Sequence, residues 1–240
     1  MPSLALAVED FVPVLLTAIG LSLIVSMIGR VDRGAGAWAA LGAVLVVAGG
    51  LSRASWKLIA AAGGPDVVPL FSALYLLLAT GYLLFVMALW RGWQAANGRG
   101  SRAPTWAAAA MALAVLLPVT AVLAPAAGRL APLLWLFTAT SASVITSLVL
   151  ARWARAIGRV GLGWLFVVSM VVTLALNGLA RAETQSEALQ WAEQLLNTLN
   201  QAAFLLGAFL LERATRRAPT EPARTMAELA APSAVGTPDS

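Results

Sequence analysis

The sequence predicts an all-α integral membrane protein, a seven-transmembrane-helix bundle with its N-terminus outside and its C-terminus inside. Three observations carry that prediction. Of 240 residues, 60% are hydrophobic and only 11% charged, far from the balance of a soluble domain of this length. The apolar residues collect into seven stretches, each with roughly the 17–25 residues needed to cross a bilayer core of about 30 Å. The basic residues between them fall almost entirely into alternate gaps.

In order, the spans are Phe11–Ile28, Ala37–Ala62, Val67–Trp90, Trp106–Ala124, Ala131–Ala151, Gly161–Ala180 and Leu189–Leu211. The first is preceded by Glu9 and Asp10 and followed by Arg30 and Arg33, the reverse of the charge order in a cleaved signal peptide. The second contains the pair Gly49-Gly50, which allows a bend or a close helix contact. On the third, Tyr75 and Tyr82 lie seven residues apart and share a face. A Gly-rich loop, Arg91–Ala103, leads to the fourth, where Pro118 is expected to bend the helix. The fifth is rich in hydroxyls (Thr138, Thr140, Ser141, Ser143, Thr146, Ser147), most of which are expected to bond back to their own helix. The sixth carries Asn177 near its end, and the seventh opens S-E-A-L-Q-W-A-E-Q-L-L-N-T-L-N-Q. Residues 1–211 thus read as one membrane domain. Residues 212–240, rich in Pro, Ala, Thr and charge, read as a disordered cytoplasmic tail.

Orientation follows from charge. Twelve of the 16 basic residues lie after spans one, three and five or in the tail; Arg53, Lys57, Arg129 and Arg181 lie on the other side. Positive residues mark the cytoplasmic face. The net charge of +5 is therefore assigned to orientation and not to nucleic acid. All nine tryptophans fall near span ends, as interfacial belts do. Fifteen arginines against one lysine, with abundant Ala and Gly, point to GC-rich coding and a bacterial plasma membrane. Cysteine and histidine are absent, which excludes disulfides, thiolate or imidazole metal sites, and Cys–His or Ser–His–Asp nucleophiles. No cofactor or metal is expected.

A repeat is suggested by three matches. I-G-R-V recurs at 28–31 and 157–160, G-L-S-R-A at 50–54 meets G-L-A-R-A at 178–182, and Gly81 pairs with Gly207. The nearly constant offsets imply helices 1–3 and 5–7 as copies around helix 4, a 3+1+3 parallel repeat about an axis along the membrane normal. In topology and length this is similar to the sugar-transporting SWEET family and the microbial rhodopsins. No Pro-Gln pair occurs in the first or fifth span, however, and no lysine in the seventh, so neither family's signature is present.

Candidate ligand-binding residues come from two clusters. On the seventh helix Gln190, Gln194, Asn197 and Gln201 form one stripe, and Glu193, Asn197 and Asn200 an overlapping one. Amides at this density avoid lipid, so the stripe should face the bundle interior or a wet cavity; interhelical hydrogen bonding is the plainer use. Arg53 and Lys57 stand four apart near the outer end of helix 2, with Asp66, Arg181, Glu183 and Glu187 nearby in the topology. They suit an anionic or polar ligand, or else snorkel to the headgroups. Tyr75 and Asn177 complete the candidate set. Glu193 is read as the one intramembrane carboxylate, suited to proton coupling. Asp10, Asp32 and Asp66 are placed in tails or loops, leaving no carboxylate pair for catalysis. The expected function is therefore a carrier for a small polar or anionic solute. The alternative is a sensor that binds an outer ligand and signals to a cytoplasmic protein partner. Beyond these, the expected partner is the lipid bilayer.

Overall fold

Pro13 sets the first break in the chain. Its ring lacks the N–H that the Glu9 carbonyl would accept and crowds that carbonyl. One continuous helix becomes a short α1 (Leu4–Glu9) and a long α2 (Phe11–Val31), hinged at Asp10. A computed structural model describes residues 3–98, 111, 113, 114, 130–179 and 187–217, without the side chains of 130, 177–179 and 187. Apart from residues 111, 113 and 114, the fourth span, with Pro118, lies outside the described residues, as do Arg181, Glu183 and residues 218–240.

The next turn is a single residue. Asp32 ends α2 and caps α3 (Arg33–Ala61), its carboxylate accepting the Ala35 amide at 2.9 Å. A Cβ on Gly36 would sit 2.6 Å from the Gly29 Cα, so only glycine lets the two helices meet this closely. Beyond a turn with Gly63 at φ +77° runs α4 (Val68–Ala96). Then come α5 (Leu130–Ala156), α6 (Val160–Leu179) and α7 (Glu187–Arg217). The described residues contain no strand. The last helix runs beyond Leu211 to Arg217, because Glu212 is buried against α2 (below) and holds that turn in place.

Among the described residues six long helices close into a ring in chain order: α2 packs on α3, α3 on α4, α4 on α5, α5 on α6, α6 on α7, and α7 back on α2. Glycine also sets the α3–α4 seam. A Cβ on Gly42 would lie 2.7 Å from the Gly81 carbonyl oxygen, and one on Gly81 2.8 Å from the Gly42 oxygen. Gly49 and Gly50 also serve contact, against the Leu74 carbonyl of α4 and Val14 of α2, within an unbroken helix.

Polar contacts fix the relative directions. Asp10 meets Gln194, Thr17 meets Gln201 and Arg30 meets Glu212, so α2 and α7 run parallel. Helices α4 and α5 are parallel too: Ala79 and Leu83 cluster with Trp135 and Ala139, and farther along both helices Arg152 lies over Trp93. One end of the ring therefore carries Lys57 and Arg53. The other carries Arg30, Arg33, Arg91, Arg152, Arg155, Arg159, Arg213, Arg216 and Arg217. We call these the lysine end and the arginine end.

The ring has an apolar outside. Phe137 is 73% exposed, Leu199 68%, Val44 63% and Leu15 59%, an arrangement that suits lipid and not water. Five helical segments, Leu4–Val31, Arg33–Ala61, Val68–Ala96, Ala131–Ala156 and Ala188–Arg217, are long and apolar enough to cross a membrane. The centre of the arginine-end half is packed: Leu21, Ile24, Ile28, Phe85, Leu89, Leu150, Phe166 and Leu211 form one buried cluster, with a second cavity beside it at Trp90, Arg152 and Arg155. Tryptophan departs from a simple belt. Trp38 and Trp164 are exposed, but Trp93, Trp135 and Trp153 are buried at 3–5%, their rings filling gaps between helices.

Candidate functional site

The lysine-end half of the ring is hollow. A cavity of about 310 Å³ lies on its axis, and every long helix contributes to it. Helical periodicity selects the lining: Pro13, Thr17 and Leu21 on α2; Gly50, Arg53 and Lys57 on α3; Tyr75, Leu78 and Tyr82 on α4; Leu136, Thr140, Ser143 and Ser147 on α5; Ser169 and Thr173 on α6; Asn197, Gln201 and Phe204 on α7. Successive members fall three or four residues apart, one face per helix. Hydroxyls and amides thus sit inside the bundle, among a larger share of apolar lining such as Leu21, Val46, Leu78 and Phe204.

At the mouth, Asp10 gathers three elements. Its carboxylate pairs with the Lys57 ammonium at 2.5 Å and accepts a hydrogen bond from the Gln194 amide. Asp10 is 8% exposed. The neighbouring Glu9 carboxylate accepts from the Thr198 hydroxyl at 2.5 Å. Deeper in, the Thr17 hydroxyl donates to the Pro13 carbonyl at 2.7 Å and lies 3.0 Å from the Gln201 amide oxygen. The Asn200 amide donates to the Thr173 hydroxyl at 2.9 Å. Arg53 is held differently, by aromatic faces: its guanidinium lies 4.7 Å from the Trp56 ring centre and 4.1 Å from that of Phe71. The Trp56 indole is itself anchored, donating to Asp66 at 2.8 Å.

Of the sequence-selected residues, Arg53, Lys57, Tyr75, Asn197 and Gln201 line the cavity. Gln194 and Asn200 stand behind it, each in an interhelical hydrogen bond. Interhelical hydrogen bonding thus accounts for Gln194 and Asn200, while Asn197 and Gln201 face the cavity. Glu193 is half-buried and is not among the lining residues. The Asn177 side chain lies outside the described residues. Asp10 is the residue that sequence reasoning misplaced: taken as a tail carboxylate, it is buried at the cavity mouth. Pro13, which ends α1 just before it, was the available signal. Of the six α5 hydroxyls, those of Ser143, Thr146 and Ser147 back-bond to their helix, and these three also face the cavity.

A second polar lock closes the opposite end. Glu212, 5% exposed, pairs with Arg30 of α2 at 2.7 Å and with Arg216 one turn along its own helix. Beside it Arg91 reaches Asp32 at 2.8 Å. The amide of Ala35 holds the Asp32 carboxyl below the usual carboxylate range, with Arg91 adding to the effect. Among the described residues no cluster of acidic side chains suits a metal ion. No known protein family, curated protein or solved structure matches the chain.

Proposed function

We propose that the protein is a seven-helix carrier for a small polar or anionic solute in a bacterial plasma membrane, N-terminus outside and C-terminus inside. The observation that carries this reading is the cavity, an axial chamber with hydroxyl, amide and cationic groups inside a ring whose outer face is apolar. Polar lining at that depth is costly unless it serves a solute or water. The seventh crossing is supported by direction: α4 and α5, consecutive among the described helices, run parallel. Orientation rests on nine arginines at one end.

Ring order supports the parallel repeat. Around six helices, α2 stands opposite α5, α3 opposite α6 and α4 opposite α7, as two copies of three would be. The matched glycines agree, Gly81 lying against α3 and Gly207 against Phe166 of α6. In a carrier, the two copies rock about the site, opening the packed arginine end as the lysine end closes. The Glu212 lock and the apolar cluster beside it are the inner barrier in that cycle.

Purified protein in liposomes tests this reading. Solute counterflow should be saturable, and Asn197→Ala and Arg53→Ala should each lower it at least tenfold while leaving the melting temperature within a few degrees of wild type. Flux unchanged in both variants would remove the cavity from the transport path. A sensor is the second reading, favoured by the packed centre of the arginine-end half, which would transmit a ligand-driven shift in α2 and α7 to a cytoplasmic partner. Ligand binding without flux, together with a copurifying inner partner, would select it.

A further inference from the structure

The hydrogen-bond inventory of the cavity, taken with the carrier reading on which it rests, names a class of solute. A hydroxyl owns one proton. Ser143, Thr146, Ser147 and Thr173 each donate theirs to a carbonyl of the same helix, at 2.9, 2.8, 3.2 and 2.9 Å. The oxygens of Ser143, Thr146 and Ser147 are left as acceptors toward the cavity, while that of Thr173 already accepts from the Asn200 amide. This α5–α6 wall is therefore neutral and electron-rich.

The α3 wall has the opposite character. Arg53 and Lys57 only donate. Lys57 is already paired with Asp10. Among the described residues no carboxylate lies within ion-pairing distance of Arg53, and its flat face is occupied by Trp56 and Phe71. Its N–H edge is the part left for a ligand. Arg53 and Lys57 share the single charge of Asp10, which pairs with Lys57 and also acts on Arg53, so this wall favours one added negative charge, and a planar carboxylate matches the guanidinium fork.

We propose that the solute is a small hydroxycarboxylate monoanion, its carboxylate on Arg53 and its one or two hydroxyls donating to acceptor oxygens among Ser143, Thr146 and Ser147. An unsubstituted carboxylate would leave those buried acceptors without donors. An ammonium would put a full charge against neutral acceptors, since Asp10, the one carboxylate among the described lining residues, already serves Lys57 and Arg53. Both penalties are of the kind that discriminates strongly in dry sites.

A three-carbon series tests the assignment: propionate, lactate, glycerate and alanine, titrated calorimetrically into protein in nanodiscs. The expected order is glycerate above lactate above propionate, spanning at least tenfold, with alanine weakest. Ser147→Ala and Thr146→Val should each flatten the series while leaving propionate unchanged; the wild-type order decides even if a variant fails to fold. Equal binding of propionate and glycerate, both lost in Arg53→Gln, would overturn the hydroxyl assignment and leave the anion-carrier reading standing. Alanine binding tightest would replace the assignment with a zwitterion. Binding by none of the four, with Arg53→Gln indistinguishable from wild type, would remove the anion site itself.

Discussion

Asp10 ties α1, α3 and α7 together at the mouth through Lys57 and Gln194. Removing one member of a fully buried ion pair costs about 3–5 kcal/mol, because the other charge is stranded. Lys57 keeps 26% of its side chain exposed, so Lys57→Met should cost less, about 2 kcal/mol. Adding Asp10→Asn should recover most of that loss, the asparagine still serving Gln194. Denaturant titration in detergent reads both variants; strictly additive losses would show that the pair is not coupled. At this scale the sequence was informative wherever one helix's own periodicity decides the outcome. Arg53 and Lys57, or Asn197 and Gln201, share a face by spacing alone. Asp10 escaped because its burial depends on α7, which lies 184 residues away and whose approach no local pattern records.

The seams between elements are set by what is missing from their side chains. At Gly42 a methyl group would strike backbone atoms of α4, which cannot rotate away. Gly42→Val should therefore cost at least about 1–3 kcal/mol as overpacking. Gly161→Ala, with nothing within 4 Å, should be neutral or stabilising by up to about 1 kcal/mol. Thermal melts of the two variants check this, and equal effects would contradict the packing. The α2–α3 turn adds a pH signature. The Asp32 carboxyl is held low in the folded protein, so its contribution is complete above its unfolded pKa of about 3.9 and is lost as pH falls through the lower folded value. Asp32→Ala should cost about 0.5–2 kcal/mol at pH 6, a gap that narrows below about pH 4. A gap that widened on acidification would exclude the cap. Helix positions were legible in the sequence because hydropathy and length impose them. The one-residue turn was not, since it depends on Gly29 and Gly36 meeting across two helices.

Across the whole molecule, polarity is organised by depth and by end: apolar outside, polar groups among apolar ones within the lysine-end half, packed at the centre of the arginine-end half. Hydropathy made the membrane class legible, and charge order gave the direction we propose. The ring order and the position of the cavity along its axis were not legible, because both arise from which helices pair. The chain contains no cysteine, so single cysteines report access directly. The most direct measurement is labelling by a membrane-impermeant thiol reagent applied from outside to right-side-out vesicles, with cysteine at Ser143, at Ile24 in the packed half, or at Phe137 on the apolar face. The account predicts rapid labelling at position 143, slowed by a bound solute, and none at 24 or 137. Labelling at 24 but not at 143, or access to 143 only from the cytoplasmic side, would contradict it.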